Sequence, residues 1–315
     1  MSVAAELNQD NALPTIEGEI PGIAWVNGEF CPLSEAKVSL LDWGFLRGDC
    51  TYDVICVYKG AFFRLEDHLD RFLASLDKLQ LQMPFDRHGL TEVMVECVRR
   101  PGLRDAFVKL VCTRGLQPPT FSRNPRDALN QMFVYSVPYT FFMTDEQRER
   151  GMHIHVASTP RIPPECIDPT IKNYNRLDFV SGIFEAYDAG ADQVILPDQH
   201  GNITEGLGFN VFVIKDGRAT SPGEGVLEGV TRKSVLELCE EIGIPAGLGT
   251  VSIDDLLYAD EAFLCTGAGG VVGITEVNGH VIANGMPRET TRRLDALYWA
   301  KHEDPAWITS IDYGS

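Results

Sequence analysis

Ile171-Lys172-Asn173-Tyr174-Asn175-Arg176, followed about one helix later by Asn202-Ile203-Thr204-Glu205-Gly206, is the part of the chain on which its reading turns. The first segment sets one lysine after an uncharged, strand-like approach, Pro169-Thr170-Ile171. The second sets one glutamate on a turn that opens into a strand expected from Phe209 to Ile214. An amine and a facing carboxylate are the two groups that pyridoxal phosphate chemistry needs. The amine forms a Schiff base with the aldehyde, and the carboxylate keeps the ring nitrogen protonated so that the ring accepts electrons. Alone, such a lysine is usually a solvated surface charge and Thr-Glu-Gly is usually a turn. The order, spacing and flanks of the two segments give the pair its weight.

Outward from this pair, strands and helices are mixed and hairpins are frequent. Toward the C-terminus, strands are expected at Met152 to Ala157, Asp192 to Leu196 and Glu261 to Cys265, and helices at about Arg176 to Ala189, Thr231 to Ile242 and Pro287 to Ala300. Ser252-Ile253-Asp254-Asp255 fits a capping box that opens a short helix. Toward the N-terminus, Asn27-Gly28 and Lys59-Gly60 mark hairpins. Leu69, Phe72, Leu73, Leu76 and Leu79 recur at helical spacing within Glu66 to Leu81, and a second helix is expected at about Thr91 to Arg99. Phe107 to Thr113 and Gln131 to Pro138 read as strands around a Pro-, Ser- and Arg-rich loop, Gly115 to Arg126. This mixture predicts an α+β fold rather than a doubly wound parallel sheet.

A cofactor phosphate needs backbone N–H groups at a helix start, and a cation. Gly225-Val226-Leu227-Glu228-Gly229-Val230-Thr231 is a glycine-rich turn opening a helix, and Thr266-Gly267-Ala268 follows a strand. Arg71, in His68-Leu69-Asp70-Arg71 of the first helix, is the candidate cation; as an isolated feature it reads equally as an exposed helix arginine.

The chain has 315 residues, long enough for two domains, with 44% hydrophobic and 23% charged residues and a formal net charge of -18. Such a charge argues against nucleic acid or an anionic membrane as partner. The eight cysteines, Cys31, Cys50, Cys56, Cys97, Cys112, Cys166, Cys239 and Cys265, form no Cys-x-x-Cys pair. That pattern suggests neither a zinc site nor a thioredoxin-type motif, and single cysteines among apolar neighbours point to a reducing, cytoplasmic setting. Residues 1–20 read as a flexible arm, without the basic start and apolar core of a signal peptide. The polar stretch within 139–151 is the expected linker between a domain over 21–138 and one over 152–315.

Six blocks carry a resemblance: Arg47-Gly48-Asp49-Cys50-Thr51-Tyr52-Asp53-Val54; Phe62-Phe63-Arg64-Leu65-Glu66-Asp67-His68-Leu69-Asp70-Arg71; Thr113-Arg114-Gly115; Asp168-Pro169-Thr170-Ile171-Lys172-Asn173; Thr204-Glu205-Gly206 with Gly208-Phe209-Asn210; and Gly225 to Arg232. Over roughly Gly22 to Ala300 the chain resembles the class IV, or fold type IV, pyridoxal-phosphate aminotransferases, and its first, second and fourth blocks are most similar to the (R)-selective amine transaminase branch. The resemblance implies a smaller N-terminal α/β domain, a larger C-terminal β-barrel-like domain with helices, and a homodimer with shared active-site loops. It implies Lys172 as catalytic amine and Glu205 as partner of the ring nitrogen. It implies a cofactor site built from Arg71, Leu227, Gly229, Val230, Thr231, Thr266, Gly267 and Ala268. The implied reaction moves an amino group from a primary amine of R configuration to a keto acid such as pyruvate. Alternatives within the resemblance are a D-amino-acid or branched-chain amino-acid aminotransferase and an aminodeoxychorismate-lyase-like enzyme.

The substrate pocket would take Tyr52 as a wall and its charges from Arg47, Lys109, Arg123, Arg126 and Arg176. Lys109 departs from the amine branch toward the branched-chain enzymes, and Arg176 departs toward the lyases. Arg123, then Arg126, on the proline-rich loop is the expected mobile partner of a keto-acid carboxylate, with Lys109 as the fixed rival.

Overall fold

A computed structural model of the chain describes residues 20–119 and 122–314. Apart from Ile20, the expected N-terminal arm lies outside the described residues, as do positions 120 and 121 of the proline-rich loop.

The chain opens with β1 (Ile23–Val26) and β2 (Glu29–Pro32), turned at Asn27-Gly28 with φ of 48° and 114°. Two positive φ values are what a two-residue hairpin turn requires. Helix α1 (Trp43–Arg47) is capped by Asp42, whose carboxylate accepts from Gly44 N, and leads to β3 (Cys50–Tyr58) and β4 (Ala61–Phe63). In α2 (Leu65–Leu79) the stripe Leu65, Leu69, Phe72 and Leu76 is buried. Helix α3 (Arg87–Arg99) begins before the expected Thr91 because Asp86 caps it by accepting from Gly89 N. Strands β5 (Ala106–Leu116) and β6 (Leu129–Pro138) follow.

The expected linker instead contains helix α4 (Asp145–Arg150), closed by a capping box of Thr144 and Gln147. Beyond it come β7 (Met152–Val156), α5 (Leu177–Asp188), β8 (Gln193–Pro197), β9 (Ile203–Gly206), β10 (Asn210–Lys215) and β11 (Arg218–Pro222). They are followed by α6 (Val230–Glu241), β12 (Ala246–Gly249), α7 (Ile253–Leu257), β13 (Glu261–Thr266), β14 (Gly270–Val277) and β15 (His280–Val281). Helix α8 (Glu289–Ala300) and β16 (Ile308–Ser310) end the described chain. The Ser252–Asp255 capping box opens α7 as expected.

Two sheets result. The first runs β16-β4-β3-β5-β6-β1-β2, so the C-terminal strand returns to pair with β4 of the N-terminal part. The second runs β12-β11-β10-β13-β14-β7-β8-β9, with β15 beside β14. Mixed parallel and antiparallel pairing with segregated helices is the predicted α+β class.

Side chains on a strand alternate between faces. The helix-covered face of the first sheet carries Ile55, Val57, Val108 and Leu110 against Leu69, Phe72, Leu90 and Met94. Asp53, in step with Ile55 and Val57, points to that same side. Tyr52 and Val54 point the other way, and Val54 pairs with Lys109, which pairs with Tyr135. Over the second sheet, α6 and α8 bury Val235, Leu238, Leu294 and Tyr298 against Phe212 and Phe263. Among the described residues no helix is long and apolar enough to cross a membrane.

Candidate active site

Lys172 lies between β7 and α5 on irregular chain, not on the end of a strand. The reason is local: the Asp168 carboxylate accepts from Thr170 N at 2.9 Å and Thr170 Oγ1 at 2.6 Å, which folds the segment into a turn. The segment is then tied to the first sheet, because Lys172 O accepts from Tyr52 N and from Thr51 Oγ1, each at 2.9 Å. Lys172 Nζ sits 4.8 Å from the centre of the Tyr52 ring. Tyr52 stacks on Tyr174, centroids 4.4 Å apart, and Arg176 Cζ lies 5.8 Å from the Tyr52 ring.

The Lys172 amine is pulled from its usual 10.5 down to about 7, first by burial and then by repulsion from Arg71 and Arg176, with Asp53 and Glu205 opposing. A lysine neutral in good part near pH 7 is a nucleophile and a proton acceptor. The same four charges identify what surrounds it: Arg71, its partner Asp53, the β9 residue Glu205, and Arg176.

Glu205 projects from β9. Its Oε2 accepts from Leu227 N at 3.0 Å and, more loosely, from Asn210 Nδ2 at 3.5 Å, while Oε1 pairs with Arg161 Nη2 at 3.4 Å. Burial raises the carboxyl's pKa, and Arg161 and the Leu227 N–H pull it back. Arg161 in turn donates to Asp178 Oδ2 at 2.6 Å and lies 4.5 Å over the Phe179 ring. Its Nε is buried with no hydrogen-bond partner among the described residues. Leu227, expected at the cofactor, therefore turns its N–H to Glu205. A Cβ at Gly229 would lie 2.0 Å from Asn210 Oδ1, so the turn needs glycine where it crosses this amide.

Arg71 comes from α2. Its Nε and Nη2 donate to the two oxygens of Asp53, each at 2.8 Å, and Nη1 donates to Glu228 O at 3.2 Å. His68 Nδ1 stands 2.8 Å from Asp53 Oδ1. Burial alone would raise the Asp53 carboxyl, but Arg71 and His68 hold it well below the ordinary carboxylate range. Glu228 leads directly into α6, whose cap, Gly229, offers no side chain to the first N–H groups. Gly267 faces the same place, since a Cβ there would come 3.9 Å from Thr231 Oγ1. Thr266 contributes no free hydroxyl: Oγ1 donates to Gly208 O at 3.0 Å and accepts from Ala268 N at 3.3 Å. The carbonyls of Gly267 and Ala268 are held by Tyr139 Oη and Phe142 N.

Of the charged pocket candidates, Arg176 lies beside Tyr52, and Lys109 shares the Tyr52 face, its Nζ 5.6 Å from the Tyr135 ring. Arg47 does not reach the site within the chain; it is exposed on α1 and stacks on Trp43 at 3.6 Å. Arg123 and Arg126 are exposed on their loop. No sequence pattern singles out Asp53, His68, Arg161, Asp178, Asn210 or Tyr135 for a role here. Asp53 does leave a signal, an acid in the middle of a strand of buried β-formers.

The chain belongs to the amino-transferase class IV family, whose model matches residues 51–277. It is 33% identical over 273 residues to a putative branched-chain-amino-acid aminotransferase of Methanocaldococcus jannaschii, covering 86% of this chain and 93% of the relative. It is 30% identical over 270 residues to a D-alanine aminotransferase of Bacillus licheniformis, covering 85% and 93%. Among solved structures, a T.th. branched-chain amino acid aminotransferase with pyridoxamine 5'-phosphate superposes with a TM-score of 0.87 at 27% identity, over 94% of this chain and 100% of that one. The fold is therefore the two-domain α+β fold type IV and the cofactor is pyridoxal 5'-phosphate. The site fits that group: a depressed lysine, a glutamate held by an arginine, and an arginine edge beside an uncapped helix start.

Proposed function

We propose that this class IV aminotransferase carries an amino group from a carboxylate-bearing donor, an amino acid, to a keto acid. Lys172 is the catalytic amine. Glu205 is the partner of the cofactor's ring nitrogen, and Arg71 with the N–H groups of Val230 and Thr231 and the Gly267-Ala268 turn forms the phosphate site. The two domains are residues 21–138 and 152–315, joined through 139–151, with the site between them.

Bound pyridoxal phosphate supplies an electron sink for the pair of electrons left when the substrate carbon loses its proton. Lys172 Nζ, depressed to about 7, would be the group that accepts that proton and gives it back. Glu205, its charge supported by Arg161, would hold the ring nitrogen's proton. The Tyr52 ring, stacked on Tyr174 and 4.8 Å from Lys172 Nζ, would form one wall beside the reacting carbon.

The observation that carries the donor is the sheet face shared by Tyr52, Lys109 and Tyr135, with Arg176 alongside. An unpaired cation against an apolar substrate costs free energy, whereas a carboxylate pairs with it. The relatives named for branched-chain amino acids and D-alanine agree with this reading. The second reading is a primary amine of R configuration with pyruvate as acceptor. The Thr51-Tyr52-Asp53-Val54 and Asp168-Pro169-Thr170-Ile171-Lys172 blocks support it, with Arg123 swinging in for the keto acid. Paired kinetics on Lys109→Ala and Arg123→Ala, with L- and D-amino acids and an aryl-alkyl amine, decide between them. The first reading requires Lys109→Ala to raise the amino-acid KM, and an unchanged KM with loss only in Arg123→Ala moves the assignment to the amine.

A homodimer is part of this proposal. Leu177, Phe184 and Tyr187 on α5 and Leu40, Leu41 and Phe45 before and on α1 are exposed apolar side chains flanking the site, Leu177 at 80%. Burying them against a second copy would repay their exposure to water, and sedimentation at micromolar protein tests it. A reducing, cytoplasmic setting is supported by the free cysteines.

A further inference from the structure

The anion site rests on a carboxylate that touches no anion. Asp53 stands in the middle of β3, its side chain fully buried, and projects to the helix-covered face among Ile55 and Val57. Nothing in an apolar strand face calls for an acid, and a buried charge is tolerated only when it is paired and hydrogen-bonded. Here it is paired twice. The Asp53 oxygens take Nε and Nη2 of Arg71 as two parallel bonds of 2.8 Å, the fork that fixes a guanidinium in its plane. The second partner, His68 Nδ1 at 2.8 Å, closes the other side of the same oxygen.

The fork decides which edge of Arg71 is left over. With Nε and Nη2 committed, Nη1 is the end that reaches the 225–231 turn, where it meets Glu228 O at 3.2 Å just ahead of the open start of α6. An arginine on a long flexible stem would otherwise sample many rotamers and lose entropy on binding an anion.

We propose that Asp53 is a positioning residue for the phosphate site: its buried carboxylate, braced by His68, aims Arg71 so that the Nη1 edge, beside Glu228 O, and the first N–H groups of α6 address one anion. This rests on the reading of Arg71 as the phosphate cation. The idea carries a sign that separates it from simple electrostatics. Asp53 is an anion beside an anion site, so by charge alone its removal would tighten phosphate binding. By positioning, its removal loosens it.

The test uses the full-length apoprotein and two probes, pyridoxal 5'-phosphate and pyridoxal, titrated by absorbance, with inorganic phosphate as competitor. Asp53→Asn is expected to weaken pyridoxal 5'-phosphate binding at least tenfold while pyridoxal binding stays within about twofold, so the phosphate selectivity collapses. A merely structural defect would weaken both probes alike, and tighter or unchanged phosphate binding overturns the proposal. Arg71→Lys keeps the charge but cannot take the fork, and is expected to lose the same selectivity; retained selectivity in that variant also overturns it, even if Asp53→Asn fails to fold. Asp53→Asn added to Arg71→Ala should do nothing further to selectivity. If Arg71→Ala itself leaves selectivity intact, the phosphate-site reading fails first and the role of Asp53 falls with it.

Discussion

The two ends of the site are built on different principles. At the proposed cofactor end each charge has a fixed partner: Arg71 from α2 on Asp53 from β3, and Glu205 from β9 on Arg161 and the Leu227 N–H. At the proposed substrate end Tyr52 stacks on Tyr174, and among the described residues the cations Lys109 and Arg176 face aromatic rings rather than carboxylates. A paired, buried charge is rigid and expensive to disturb. A cation left over a ring retains most of its capacity to pair with an incoming carboxylate. In the proposed site one end is thus suited to keep a ligand and the other to exchange ligands at each turnover.

Breaking the comparison at its joint, Lys172, has the largest effect. Lys172→Ala is expected to abolish turnover, a loss beyond the ~10²–10⁴-fold that proton transfer alone contributes, because the covalent anchor goes with the base. Steady-state transamination at near wild-type rate would contradict it. Next in size is Glu205→Gln at the fixed end: the neutral amide cannot hold the ring-nitrogen proton, and single-turnover proton removal should slow by roughly 10²-fold with the cofactor retained. Equal single-turnover rates would remove Glu205 from that role.

The exchangeable end should respond in KM. Lys109→Ala is expected to raise KM for a carboxylate substrate by roughly tenfold to a hundredfold, as for loss of a charge-assisted hydrogen bond of ~1.5–3 kcal/mol, with little change in kcat. If kcat falls instead, the pocket is not divided as described. A smaller, titratable effect sharpens the boundary. The Lys172 amine is lowered to about 7, so its neutral form is present above that pH and lost as pH falls through it. The rate at which the apoprotein captures pyridoxal 5'-phosphate should rise to a plateau around a midpoint near 7, and a midpoint near the ordinary 10.5 would show that burial and Arg71 do not act on the amine.

The two ends are also unequally legible in the sequence. Lys172, Glu205 and the 225–231 turn sit in short contiguous blocks, so spacing along the chain carries their meaning. The hairpins at Asn27-Gly28 and Lys59-Gly60 are legible for the same reason, since turn chemistry is local. Tyr135 and Lys109 become neighbours only through the β5–β6 register, and Asp53 meets Arg71 only when α2 folds onto β3. Neither is encoded in a local pattern. Pro169-Thr170-Ile171 reads as an extended approach to Lys172, whereas the Asp168 side chain bends that stretch into a turn. The polar run at 144–150 reads as linker, yet Thr144 and Gln147 cap it into a helix. Arg123 and Arg126 stand out by charge and proline content, but an exposed loop position follows from the fold and not from composition.

Lys172 is proposed as the covalent carrier of the cofactor. Loading the protein with pyridoxal 5'-phosphate, reducing it with borohydride and mapping the digest by mass spectrometry tests that claim directly. A single stable adduct is expected, on the peptide containing Lys172 and absent from Lys172→Ala. An adduct on Lys109 or any other lysine, or none in a protein that binds the cofactor, would contradict it.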